Sequence, residues 1–167
     1  MILILILSAA SMLIGNISAI PQTNVKRLLA YSSIAQAGYL MTGFLHGNAA
    51  GLKGVMFYAM IYVFANAGAF AVVAAVNDQR NGETISDFAG LSRQSPILAA
   101  AMTVSLLSMA GIPPLAGFVG KFLLFSAAID AGFFWIDVLG FVLYMISVYY
   151  YLMVVKSMYL GQAADEK

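Results

Sequence analysis

Lys121 is the residue whose type and place most call for chemistry. It stands in Gly117-Phe118-Val119-Gly120-Lys121-Phe122, within a reach from Pro96 to Ile129 that holds no other charged side chain. A lysine at the centre of a membrane helix costs about 2.5–3.5 kcal/mol on insertion scales, a cost met by a partner, a watery cavity or loss of the proton. To exchange a proton near neutral pH, the ammonium must be destabilised by about 4 kcal/mol relative to water. Lys121 is read as a buried amine that holds and releases a transported proton. The competing reading is a lysine that snorkels along its own stem to an interface. The Gly-Lys pair is no phosphate loop: that motif needs glycine where Leu115 stands, and Ser or Thr where Phe122 stands.

A second group of polar residues lies early in the chain. Ser32, Gln36 and Tyr39 fall on one helical face at spacings of four and three. They are candidates to line a proton path, with interhelical hydrogen bonding as the equal alternative. Asn66 reads the same way, beside Ala65 and Ala69. Lys26 and Arg27 are anchors at the membrane surface, or charges that shape a proton entrance. His46, in a Gly-Asn loop, reads as an interface residue, and Tyr149-Tyr150-Tyr151 as part of an aromatic belt.

The elements that must position these residues follow from composition. Apolar residues make up 62% of the chain and charged residues 9%, far from the balance of a soluble domain. Lipid solvates such a surface, and inside lipid only structures that satisfy their own backbone survive. A span needs roughly 20 mostly apolar residues. The sequence predicts an all-α membrane fold with five transmembrane spans in one domain, about 1–20, 28–45, 54–76, 96–131 and 133–160, followed by a tail at 161–167. Asn77 to Ser95 reads as a polar loop. The fourth stretch would measure about 54 Å as one straight helix, too long for the bilayer. Gly111-Ile112-Pro113-Pro114-Leu115-Ala116-Gly117 interrupts it, and two prolines with flanking glycines do not continue a helix. The reading is two half-helices broken at 111–117, marked by Gly111, Pro113, Pro114 and Gly117. A helix, a surface loop and a further span is the other possibility.

Charge then orients the spans. One side receives Lys26, Arg27, Arg80, Arg93, Lys156 and Lys167; the other receives Lys53 with Asp130 and Asp137. The first is read as the cytoplasm, which puts the N-terminus in the periplasm and the C-terminus in the cytoplasm of a bacterial inner membrane. The opening Met1-Ile2-Leu3-Ile4-Leu5-Ile6-Leu7 lacks the positive n-region of a signal peptide and reads as a fragment that starts inside a span. A net charge of +1 gives no basic stripe for nucleic acid. With no cysteine and one histidine, no cofactor or metal site is expected in this chain, and no redox catalysis of its own.

Four motifs carry a family resemblance. Gln22-Thr23-Asn24-Val25-Lys26-Arg27-Leu28-Leu29-Ala30-Tyr31-Ser32-Ser33-Ile34 resembles the signature of the antiporter-like, proton-translocating membrane subunits of NADH:quinone oxidoreductase, respiratory complex I. Asp87-Phe88-Ala89-Gly90-Leu91, Gly111-Ile112-Pro113-Pro114 and the Lys121 run resemble its subunit N branch in particular. The resemblance implies the second of two inverted five-helix repeats, with Lys121 as the broken-helix lysine on a hydrophilic axis. It implies proton translocation coupled to quinone reduction in other subunits, which hold the flavin, iron–sulfur clusters and quinone. The expected partners are the other membrane subunits, the lipid bilayer and the N-terminal half of the same subunit. Family members often carry histidine where this chain has Gln36. A subunit of a multisubunit cation/proton antiporter, or a truncated structural fragment without its own transport, are the alternatives.

Overall fold

The computed structural model describes residues 2–45, 47, 49–111, 116–130 and 132–161. His46, Pro113, Pro114 and the tail beyond Gly161 lie outside the described residues. The chain forms α1 (Ile2–Ala19), α2 (Val25–Thr42), α3 (Ala49–Arg80), a 3-10 turn at Ile85–Phe88, α4 (Leu91–Gln94), α5 (Pro96–Ala110), α6 (Ala116–Asp130) and α7 (Phe134–Leu160). Among these, α1, α3 and α7 are long and apolar enough to cross a membrane, with 18, 32 and 27 residues. They make this a multi-pass membrane protein. The 15 residues of α5 and the 15 of α6 are each too few to span alone.

Where each helix starts and stops has a local cause. Pro21 stands two residues beyond the end of α1, and Asn24 caps α2 by accepting the Arg27 N–H at 3.1 Å. Pro96 opens α5 at its first turn, where its missing N–H is harmless. Gly111 ends α5 in the left-handed conformation, φ 72°, returning its N–H to Leu107 and Ser108. α5 ends at Ala110, and Gly117 falls within the first turn of α6, which begins at Ala116.

Side chains decide how the helices meet. α1 and α2 are packed closely along their length, and Ser8 Oγ donates to the Gly38 carbonyl at 2.8 Å. α3 lies against α5 and α6, and α7 against α5 and α1. One buried cluster centres on Leu28, Val72, Phe88, Leu106 and Tyr151. A second gathers Met12, Tyr39, Tyr58, Leu124 and Ile136.

The expected polar loop at Asn77–Ser95 is a folded segment instead. α3 continues to Arg80, and Thr84 and Asp87 form a capping box at the 3-10 turn. Phe88 and Leu91 are buried, which pins the segment to the bundle where composition alone suggested solvent. The Arg80 guanidinium donates to the Asp87 carbonyl at 2.6 Å, the Ala89 carbonyl at 2.8 Å and Gln94 Oε1 at 2.5 Å. Val25 N–H reaches the Glu83 carbonyl at 2.7 Å, and Ser157 Oγ the Ile85 carbonyl at 2.7 Å. The segment therefore joins the start of α2, the end of α3 and the end of α7. Exposed Lys26, Arg27, Arg93 and Lys156 surround that end of the bundle. Arg80→Met removes three charge-assisted hydrogen bonds, an expected loss of about 1.5–3 kcal/mol. Tryptic cleavage at Arg93 should accelerate; an unchanged rate would show that other contacts hold the segment.

Candidate functional site: a buried lysine beside a tyrosine–amide cluster

Lys121 lies on the second turn of α6 and is only 3% exposed. It has not snorkelled to a surface. Its Nζ stands 4.6 Å from the centroid of the Tyr39 ring and 5.0 Å from that of Tyr144. Among the described residues Nζ has no hydrogen-bond partner. A ring face attracts a desolvated cation by about 2 kcal/mol or somewhat more, against several kcal/mol to strip an ammonium of water. Two rings do not decisively offset that cost. No carboxylate bonds Nζ among these residues, so no fixed counter-charge locks a proton onto it. A cleft of about 230 Å³ opens beside it, lined by Gly111, Phe122, Ser126, Ile129, Phe141 and Tyr144.

Gly111 makes this placement possible. A Cβ there would come within 2.9 Å of Lys121 Cδ and 3.2 Å of Tyr144 Cε2, in a left-handed backbone that L side chains rarely adopt. The lysine stem passes over the bare glycine, and Tyr144 Oη donates to its carbonyl at 3.2 Å. The end of α5, the lysine of α6 and the tyrosine of α7 are thus held together at one point.

Behind Tyr39 lies a hydrogen-bonded cluster with no charged member. Asn16 Nδ2 donates to Tyr39 Oη at 3.3 Å and to the Met12 carbonyl at 2.8 Å, and Tyr150 Oη donates to Asn16 Oδ1 at 2.8 Å. Gln36 receives the Tyr58 hydroxyl and donates Nε2 to the Met109 carbonyl at 3.3 Å and to Tyr151 Oη at 3.4 Å. Tyr150 and Tyr151 meet edge to face, with centroids 4.7 Å apart. Ser32 donates to its own helix at the Leu29 carbonyl, 2.8 Å away, and adjoins Tyr151.

Several of the candidates named from sequence come together and others do not. Ser32, Gln36 and Tyr39 are all fully buried, but Tyr39 turns toward Lys121 while Gln36 and Ser32 turn toward Tyr151. Asn66 joins neither group; its Oδ1 is buried without a partner among the described residues. Lys26 and Arg27 are exposed at the far end of α2. Tyr150 and Tyr151 are not belt residues, because both are fully buried; only Tyr149 of the three is exposed, at 57%. Consecutive residues of a helix point in different directions, so a Tyr triplet cannot all face lipid headgroups. Asn16, Tyr58 and Tyr144 join the site without having been candidates from sequence. The seven-residue spacing Asp137, Tyr144, Tyr151 places all three on one face of α7 and was the available signal.

A family profile for the transmembrane region of NADH:quinone oxidoreductase and Mrp antiporters matches residues 1–147. The chain belongs to that family. It is similar to the NADH-quinone oxidoreductase subunit N of Heliobacterium modesticaldum, 57% identical over 164 residues, covering 98% of this chain and 35% of that protein. A chain of respiratory complex I from Thermus thermophilus, solved with bound aureothin, is 40% identical with TM-score 0.83, over 93% of this chain and 35% of its own. A chain of the Mrp complex from Dietzia sp. is 27% identical with TM-score 0.89, over 99% and 31%. The chain spans about a third of the length of the curated relatives it matches. The match to the antiporter family takes in Gln36, Tyr39, Lys121, Asp137 and Tyr144, and ends before Tyr150 and Tyr151.

Gln36→Leu would test the cluster without touching Lys121. It leaves the Tyr58 and Tyr151 hydroxyls and the Met109 carbonyl without their amide, and each buried polar group so orphaned costs about 1–3 kcal/mol. Thermal unfolding in detergent should shift down by several degrees. An unchanged midpoint would mean the amide is not what joins α2, α3 and α7.

Proposed function

We propose that this chain forms a proton-translocating module of a membrane subunit N in a bacterial NADH:quinone oxidoreductase. The observation that carries the reading is the buried amine of Lys121, without a hydrogen-bond partner among the described residues, at the junction of α5, α6 and α7. A group of this kind exchanges a proton when its access to water changes, and a complex that reduces quinone can drive that change. The relatives named subunit N, at 57%, 55% and 58% identity, support this parent system. Flavin, iron–sulfur clusters and quinone then belong to other subunits, and this chain takes part in catalysis only as a translocating member. Its partners are the neighbouring membrane subunits, the bilayer and the rest of its own subunit.

In this reading residues 1–160 form one transmembrane domain of five spans, with α5 and α6 as the two halves of a discontinuous fourth. The break at Gly111 lets Lys121 face protein and the adjacent cleft, where freed backbone groups can be satisfied. The gathering of Lys26, Arg27, Arg93 and Lys156 at one end supports a cytoplasmic assignment for that end by the positive-inside tendency. The N-terminus is then periplasmic and the tail 161–167 cytoplasmic. Lys26 and Arg27 lie at the cytoplasmic entrance, and Ser32, Gln36 and Tyr39 line the protein between that entrance and Lys121. Asn66, whose Oδ1 has no partner among the described residues, is left off this line.

A cation/proton antiporter subunit is the second reading, favoured by the TM-score of 0.89 with the Mrp chain; the lower identity there, 27% against 40%, puts it behind. The full subunit within its assembled complex, sealed in vesicles with a trapped pH dye, separates the two. NADH-driven proton movement in sodium-free buffer is expected. Proton movement that needs a sodium gradient and ignores NADH would replace this reading with the antiporter.

A further inference from the structure

We propose that Asp137 is a second proton-carrying group of this chain, the carboxylate that receives the proton leaving Lys121 toward the end of the bundle that holds Lys53 and Asp130. The inference rests on the Lys121 reading above and extends it by one residue. Asp137 sits one turn into α7 and is 8% exposed, with neither carboxylate oxygen bonded to any described residue. An acid in the first turn of a helix gains from the helix dipole, but a capping carboxylate bonds the helix N–H groups, and this one does not. Lys53 and Asp130 at the same end are exposed to solvent. A buried carboxylate without a partner is expensive to keep unless it works.

Its position on α7 gives the work. Asp137, Gly140, Tyr144, Ser147 and Tyr151 follow at offsets of three, seven, ten and fourteen residues and share one helical face. Tyr144 is the residue over which Lys121 Nζ stands at 5.0 Å. Asp137 lies seven residues away, about 10.5 Å along the helix axis. That gap is too long for direct transfer and is bridged by water. The cleft of about 230 Å³ beside Lys121 runs along α6 past Ser126 to Ile129 and along α7 to Phe141, one turn from Asp137. It has room for several waters, and in a mostly apolar lining the polar partners for them are Lys121, Ser126 and Tyr144. In the opposite direction Lys121 meets the neutral Tyr39, Asn16, Gln36 and Tyr58 cluster, which contains no carboxylate.

The transfer is balanced. An Nζ–H bond of the Lys121 ammonium breaks, its proton enters the water of the cleft, and a water proton forms an O–H bond on Asp137. Amine and carboxylic acid are then both neutral. Asp137 next releases its proton to water at its own end of the bundle and regains its charge, which leaves Lys121 ready for a new proton.

The test uses the full subunit in the assembled complex in vesicles, with Lys121→Met as reference. Asp137→Asn is expected to assemble and to lower NADH-driven proton flux about tenfold or more, the low end of what a missing acid–base group costs being larger still. Asp137→Glu should restore most of it. Difference infrared spectra taken during turnover should show a protonated-carboxyl C=O band that shifts in Asp137→Glu and is missing in Asp137→Asn. Full flux in Asp137→Asn with none in Lys121→Met would overturn the proposal and leave the Lys121 reading intact. Full flux in both would remove the Lys121 reading itself. If Asp137→Asn does not assemble, the infrared band decides: no shift between wild type and Asp137→Glu overturns the proposal.

Discussion

Lys121→Met is expected to stop NADH-driven proton movement through this chain while leaving the bundle at least as stable as before. The two effects have opposite signs because they have different causes. Transport needs a group that gains and loses a proton, and methionine has none. Stability is burdened by an amine that is 3% exposed with no hydrogen-bond partner among the described residues. Burying one ion costs several kcal/mol, and even a buried ion pair is often replaced by apolar residues of similar volume with a neutral or stabilising effect of about 1–4 kcal/mol. Methionine fills the groove over Gly111 with a flexible apolar stem, so no cavity offsets that gain. The melting temperature in detergent should hold or rise while flux disappears. Lys121→Arg sharpens the point: a guanidinium keeps the charge but does not release its proton, so flux should also vanish. Normal flux in Lys121→Arg would mean that a fixed charge, not proton exchange, is what the site supplies.

Gly15→Ala should destabilise the protein, although alanine is favoured over glycine inside a helix by roughly 1 kcal/mol. The reason lies across the interface. A Cβ on Gly15 would press on the backbone nitrogen of Ala35, and would stand 2.8 Å from the Tyr31 carbonyl oxygen and 2.9 Å from Ala35 Cα. All three are backbone atoms of α2 and move only if the helices part. Gly38 meets the same limit from the other side, 2.8 Å from the Met12 nitrogen and the Ser8 carbonyl oxygen. Overpacking of this kind costs about 1–3 kcal/mol, and here it outweighs propensity. Function should suffer with it. Asn16, the next residue, bonds both Tyr39 and Tyr150, and Tyr39 carries one of the two rings under Lys121. Thermal unfolding and proton flux measured on Gly15→Ala should both fall. A raised melting temperature would show that α1 and α2 have room to spare at this crossing.

Much of this protein is determined by its sequence alone. An apolar share of 62% against 9% charged dictates lipid as solvent. The helix limits follow from local punctuation: Pro21 after α1, Asn24 before α2, Pro96 at the start of α5 and Gly111 at its end. Lys121 is legible for the same local reason, because one charge in an apolar helix is an energetic anomaly wherever that helix lies. Only the tertiary structure decided what surrounds it. Tyr150 and Tyr151 looked like interface residues and are core; the stretch around Phe88 looked like open loop and is folded onto the bundle. Asn66 looked like a member of the path, but its Oδ1 finds no partner among the described residues, whereas Asn16 of α1 and Tyr58, on the same helix as Asn66, bond to Tyr39 and Gln36. Periodicity tells which face of a helix a residue occupies. Which partner that face meets depends on how closely the helices approach, and small residues such as Gly15, Gly38 and Gly111 set that only once the chain has packed.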